Sequence, residues 1–271
     1  MQLSPRYESA PLLVFVDVAD PSGPLRRQRE RLLSLLRSLD DAQWDAPSRC
    51  EKWSVKDVVS HLVGVDRFWD LSFAAGTRGE PTTYLTNFDP VATPEQMVDG
   101  MRALSPRDVL AQFEAATLRF LATADGVTDW SLLAEAPPGH VPLCATAMHA
   151  LWDAWIHERD IVIPLGLEPV ADDEEIALAL QYAAALSPAL AVASGDGGQG
   201  ALTVAATAPD VVFTVEIGDR VVVRDGDGAG ARLTGGAVEL AEALSHRAAT
   251  PSLAPDDQWM LAGLSAAFDV A

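Results

Sequence analysis

The sequence predicts a four-helix bundle over residues 1–168, a connecting helix and Gly-rich linker over 169–200, and a small α+β unit over 201–271. Three observations point there. Apolar residues recur at helical spacing through the first two-thirds of the chain. After Gly195 the pattern changes to alternating Val- and Thr-rich runs, as strands require. The length, 271 residues, exceeds what one hydrophobic core usually organises.

The elements follow in order. A first helix, about Pro24 to Leu39, carries Leu32, Leu33, Leu35, Leu36 and Leu39 on one face. After the polar stretch DDAQWDAPSRCEKW, Ser54 followed by Asp57 has the capping-box arrangement that opens a helix. Its apolar members are Val55, Val58, Val59, Leu62, Val65, Phe68 and Trp69. Gly76 to Pro94 has the Gly, Pro and Thr content of a long loop, the kind that borders a site. A third helix covers Pro94 to Ala124 with an interruption near Pro106, and a fourth covers Leu143 to Pro164 after the PPGHVP turn. Four such helices fit a bundle. Ile176 to Gly195 is uncharged and nearly long enough to span a membrane, but it is Ala-rich and contains Pro188, so it reads as a buried helix of a soluble domain. Leu202 to Ala206 and Val211 to Ile217 read as strands, with a Gly218-Asp219 turn leading to Val221–Arg224. Ala237 to Arg247 and Asp256 to Phe268 return to helical spacing.

Composition narrows the function classes. Acidic side chains number 39 against 19 basic, a formal charge of −20. Such a surface repels phosphates and anionic lipid, which disfavours nucleic-acid and membrane partners. Cys50 and Cys144 are too few for a disulfide scaffold or a thiolate zinc cluster and read as reduced cytoplasmic thiols, neither beside an obvious activating base. The apolar run Pro11 to Val18 follows Glu8 and contains Asp17, unlike a signal peptide, so the expectation is a cytoplasmic protein. Gly195, Gly197 and Gly200 satisfy G-x-G-x-x-G, but the loop leaves a helix and enters a strand, the reverse of a dinucleotide site. Asp225-Gly-Asp227 opens like a calcium loop, yet its twelfth position is Gly236 rather than Glu, and it reads as a turn.

The chemistry concentrates in MHALWDAWIHERDI, Met148 to Ile161. His149, Asp153 and His157 recur at i, i+4 and i+8 and stack along one helix face, with Trp152 and Ile156 turning that face inward. A buried Asp153 costs several kcal/mol unless a cation or donor meets it. His61 lies on the inward stripe of the second helix with Val58 and Val65. Each histidine alone reads as readily as a hydrogen-bonded core residue. Together His61, Asp153 and His157 offer nitrogen, oxygen and nitrogen donors to one divalent ion and leave positions for water or substrate.

The block WDAPSRCEKWSVKDVVSHLVGVDRFW, Trp44 to Trp69, and the helix containing AWIHERDI resemble the mycothiol-dependent maleylpyruvate isomerase family, whose N-terminal domain is a DinB-like four-helix bundle. TGGAVELAEALSHR, Thr234 to Arg247, with the following DQWMLAGLSAAF, resembles that family's sterol-carrier-like C-terminal domain. The resemblance spans most of the chain and implies zinc or another divalent metal on His61, Asp153 and His157. Asp153 is one methylene shorter than the family's Glu, which leaves His149 as a substitute ligand or a general base. The resemblance further implies mycothiol or a similar low-molecular-weight thiol as cofactor. Arg247 corresponds to the family's functional C-terminal Arg and would pair with a substrate carboxylate; the other reading is a surface Arg at a helix end. Trp69, Tyr84, Phe88 and Trp152 are pocket-lining candidates by position. The implied activity is a metal-dependent isomerase or S-transferase acting on a small electrophile by thiolate addition. Rival readings are a natural-product S-transferase with the same site, a non-catalytic small-molecule binder and a stress-induced scaffold. Monomer and homodimer both remain open.

Overall fold

The computed structural model describes residues 5–18 and 20–263. A short strand β1 (Leu13–Phe15) precedes helix α1 (Ser22–Ser38), the single turn α2 (Asp41–Trp44) and the long helix α3 (Val55–Gly76). Ser54 and Asp57 form the reciprocal cap that the sequence predicts, and α3 starts there. The expected third helix is two helices, α4 (Ala92–Asp99) and α5 (Pro106–Asp125). Ser105 caps α5 and Pro106 takes its first turn, where its missing N–H costs nothing. The hairpin β2 (Leu133–Ala136) and β3 (Gly139–Pro142) then leads into α6 (Leu143–Val162).

Helix α7 (Asp173–Ser194) connects to the strands β4 (Gly200–Thr207), β5 (Val211–Ile217), β6 (Val221–Asp225) and β7 (Ala231–Gly236), followed by α8 (Ala237–Leu244). The sheet order is β1-β6-β5-β4-β7, antiparallel at β4–β5–β6 and parallel at both edges. The sequence reading assigns residues 1–168 to the bundle, but Leu13, Val14 and Phe15 pair with Val221, Val222 and Val223 and close one edge of the C-terminal sheet. Three residues are too few to show alternation, so the strand has no sequence signal of its own. Helix α7 is long and apolar enough to cross a membrane by length and composition, yet most of it is buried against α6, α8 and the sheet. It is a core helix shared by both units, and a single hydrophobic cluster runs from Trp69 and Trp152 through Tyr182 to Val204 and Leu233.

Two further differences concern the C-terminal side. Helix α8 ends at Leu244 rather than Arg247, and His246 adopts a left-handed φ of 55°. Of the expected helix over 256–268, residues Gln258–Leu261 form a 3-10 turn and 264–268 lie outside the described residues.

The bundle is pinned by a fully buried ion pair. Arg29 donates from Nη2 to Asp66 Oδ1 at 2.9 Å and from Nε at 3.2 Å, and both side chains have no solvent exposure. Thr117 donates to the other oxygen of Asp66 at 2.7 Å, and Arg29 also reaches the Ala150 carbonyl at 3.1 Å. One guanidinium–carboxylate pair thus ties α1, α3, α5 and α6 together with its polar atoms satisfied. Asp66→Ala strands the Arg29 charge in the core and is expected to cost about 3–5 kcal/mol in a urea unfolding series. Arg26→Ala, which breaks only exposed pairs, those with Asp125 and Glu30, is expected to cost under about 1 kcal/mol in the same series.

Candidate metal centre

Helix α6 positions most of the site. It is buried around nearly its whole circumference, so its charged residues face other elements rather than water. His61 comes from α3, one turn from Val58 and Val65 on the inward side, as its spacing predicts.

Three of the expected ligands converge. His61 Nε2 lies 3.8 Å from Asp153 Oδ2, and His157 Nε2 lies 3.7 Å from Asp153 Oδ1. The two imidazole rings meet edge to face at 4.9 Å between centroids. Ligand atoms of the three side chains all fall within 4.8 Å of one another. These separations are too long for hydrogen bonds. They lie close to the spacing of about 3.4 Å between donors that share a tetrahedral ion at about 2.0–2.1 Å. Asp153 Oδ2 and His61 Nδ1 are buried without a hydrogen-bond partner among the described residues. A carboxylate oxygen buried in such a place is costly without a cation or a hydrogen-bond donor, and the donor set fits a divalent ion.

The surroundings hold His157 in one orientation. Its Nδ1 is 3.0 Å from Asp160 Oδ2, which turns Nε2 toward Asp153. Burial disfavours its protonated form, but the hydrogen bond to Asp160, with Cys50 and Asp153 nearby, raises its pKa to about 10. Burial likewise opposes ionisation of Asp160 and Asp153, yet His157 and Arg247 hold Asp160 well below the usual carboxylate range, and His61 and His157 do the same for Asp153. Trp53 covers the pair of imidazoles, 5.3 Å from the His61 ring and 6.5 Å from that of His157. Its Nε1 donates to Glu95 Oε2 at 2.9 Å, so α4 fixes the indole over the centre.

Arg247 follows the end of α8, where its backbone N–H bonds the Glu242 carbonyl at 2.8 Å, but its side chain is not loose on the surface. It donates to both oxygens of Asp160, from Nε and Nη2, at 2.8–3.1 Å and keeps a quarter of its side chain exposed. Arg49 meets the same carboxylate at 3.0 Å, and Arg49 and Arg159 share Glu242. The C-terminal unit therefore supplies part of the wall of the centre.

His149 does not join the triad. Its Nδ1 meets the Tyr182 hydroxyl at 2.5 Å, and its ring packs among Trp69, Trp152 and Tyr182. Burial lowers its pKa to about 4, partly offset by Asp153. Of the pocket-lining candidates, Trp69 and Trp152 stand in this aromatic box, whereas Tyr84 is largely exposed and Phe88 packs on the core. Tyr84 sits instead in a 3-10 turn whose backbone N–H bonds the buried Glu135, a carboxylate that also accepts from Tyr7, Thr82 and Leu85.

The expectation that neither cysteine sits beside an activating group fails for Cys50. Its sulfur is 3.3 Å from Asp160 Oδ2 and 3.9 Å from His157 Nδ1. These groups are far apart in sequence, which is why spacing missed them. Trp53 and Asp160 were missed too, although Asp160 follows His157 by three residues, a spacing that puts both on one helix face.

The chain matches the family described as mycothiol maleylpyruvate isomerase N-terminal domain over residues 25–162. No curated protein matches it. Among solved structures it is similar to a crystal structure of the mycothiol-dependent maleylpyruvate isomerase and to that of a histidine-to-alanine mutant of the same enzyme. Each likeness has 15% sequence identity and a TM-score of 0.60, over 86% of this chain and 90% of that one. At this identity the likeness is one of fold.

The neutral state of His149 has a pH signature. Its folded pKa lies below the ordinary 6.5, so the unfolded chain binds the extra proton first as pH falls. Stability is complete above pH 6.5 and declines toward pH 4, by about 3 kcal/mol from this one residue at about 1.4 kcal/mol per pH unit. Denaturant titrations at several pH values, in chelator, are expected to show that slope in the native sequence and a shallower one in His149→Phe.

Proposed function

The chain belongs to the mycothiol maleylpyruvate isomerase family, and from that premise we propose that it is a metal-dependent enzyme that uses mycothiol or a similar low-molecular-weight thiol on a small electrophilic substrate. The reading rests on one observation: α3 and α6 bring His61, Asp153 and His157 together around an unpaired, buried carboxylate oxygen. These three residues would hold zinc or another divalent ion. When bound, such an ion accepts a thiol sulfur as a further ligand and favours the thiolate at neutral pH, the form that adds to an electrophilic carbon.

The chain's own residues have separable tasks in this reading. Asp160 takes the Nδ1 side of His157 and so presents Nε2 to the centre. Arg247, braced on Asp160 and partly exposed, offers its remaining edge to a substrate carboxylate. Trp53 roofs the centre and limits the approach of water. The His149–Tyr182 pair stays neutral within an aromatic box beside Asp153 and would shape the pocket rather than carry a charge. The reaction class is isomerase or S-transferase. The two differ in whether the carbon–sulfur bond is released or kept. A natural-product S-transferase would use the same residues. A small substrate and a thiol are the expected partners, and the formal charge of −20 works against a polyanionic one. The two free cysteines fit a reducing compartment such as the cytoplasm.

Metal analysis of the purified protein tests this directly. We expect about one equivalent of divalent ion for three convergent ligands, lost in His61→Ala while the circular dichroism is kept. Asp160→Asn is expected to weaken metal affinity by about 10–100-fold, because it frees the orientation of His157. Metal-free protein with an intact fold overturns the reading. Turnover of an electrophile panel with mycothiol then separates isomerase from transferase.

A further inference from the structure

Cys50 has neighbours that its place in the sequence does not suggest. Its sulfur lies 3.3 Å from Asp160 Oδ2, 3.6 Å from Arg247 Nη2 and 3.9 Å from His157 Nδ1. His157 therefore stands between two groups, with Nε2 turned to Asp153 and Nδ1 to Asp160 and Cys50. The thiol is one imidazole ring away from the point where the three ligands converge. That point calls for a ligand independently of Cys50: Asp153 Oδ2 is buried and unpartnered there, with Nε2 of the buried His61 3.8 Å away. Cys50 itself is partly exposed, on the segment between α2 and α3, so a molecule seated near the centre can reach it. Cys144 is the opposite case. It is buried, its S–H donates to the Val18 carbonyl, and burial pushes its pKa up to about 12.

We propose that Cys50 is a thiolation site, which exchanges with the disulfide form of the same low-molecular-weight thiol that the metal centre binds and closes the site when that thiol is oxidised. The inference rests on the thiol-dependent reading above. In the exchange the Cys50 sulfur attacks one sulfur of the small disulfide. The old S–S bond breaks, a mixed disulfide forms on Cys50, and the departing sulfur takes up the proton that Cys50 gives up and leaves as a free thiol. Cys50 is oxidised and the small disulfide is reduced, so no further oxidant is needed. The Arg247 guanidinium lies beside the attacking sulfur, with Nη2 at 3.6 Å. The product removes the S–H donor from Asp160 and sets the bulk of the thiol beside Arg247. Both the brace on His157 and the group offered to substrate are thereby disturbed. Excess reduced thiol reverses the change by the same exchange.

The test incubates the full-length, metal-loaded protein with mycothiol disulfide and follows intact mass and peptide maps, with Cys50→Ser and Cys144→Ser alongside. Binding of reduced mycothiol is measured separately by calorimetry. The expected result is a single adduct on Cys50, also in Cys144→Ser, none in a Cys50→Ser protein that retains its metal, and activity lost in step with the adduct and regained on reduction. Absence of an adduct in protein that binds the reduced thiol overturns the proposal and leaves the thiol-dependent reading standing. Failure to bind the reduced thiol removes both. Labelling of Cys50 no faster than that of a free cysteine peptide, and equal with glutathione disulfide, also overturns it, since an exposed thiol without recognition behaves in that way.

Discussion

The constraint on which the site depends is that α6 is buried yet charged. Within eight positions it carries Asp153, His157, Glu158, Arg159 and Asp160, and a helix in the middle of a protein cannot leave such groups to water. Apart from His157, which meets Asp160 of the same helix, each is met from outside α6. Glu158 pairs with Arg31 of α1, Arg159 with Glu242 of α8, Asp160 with Arg49 and Arg247, and Asp153 faces His61 of α3. The bundle, the loop before α3 and the C-terminal unit are therefore docked by the polar demands of one helix. Among these pairings, that of Asp153 alone lacks hydrogen-bond distances, and it is there that the structure has room for an ion.

This explains which parts of the molecule were legible in the sequence. Helix starts announce themselves locally: Ser54 with Asp57 is read from neighbouring residues and stands where expected, and the interruption expected near Pro106 is where Ser105 caps α5. The His61, Asp153 and His157 triad was legible because two of its members share a helix face and the third lies on an inward stripe. Strand β1 was not, since three residues gain their identity only from Val221–Val223, about two hundred positions away. The neighbours of Cys50 were invisible for the same reason. Asp160 and Arg247 come from two other parts of the chain, and no local periodicity joins them to Cys50. His149 was legible as a residue facing inward but not as a partner of Tyr182, because α7 carries no pattern that marks one tyrosine among its alanines.

Charge distribution separates the site from the rest of the surface. The protein is strongly acidic, yet Arg49, Arg159 and Arg247 gather around two carboxylates, Asp160 and Glu242, on one side of the triad. The three guanidiniums outnumber the carboxylates they contact, so this wall favours an anionic group arriving from solvent, while the surrounding surface repels polyanions.

The shorter carboxylate at position 153 bears on how the triad works. A Glu would carry its oxygens about 1.5 Å farther from the helix, one carbon–carbon bond. Asp153 nevertheless faces both histidines, one with each oxygen and at nearly equal distance, Oδ2 toward His61 and Oδ1 toward His157. The shorter side chain thus still reaches the point where the two imidazoles meet. On α6 itself, Asp160 stands behind His157, with its Oδ2 3.0 Å from His157 Nδ1. The orientation of His157 then depends on the Asp160 brace, and the brace in turn is held by Arg49, Arg247 and the sulfur of Cys50, all three drawn from outside the helix.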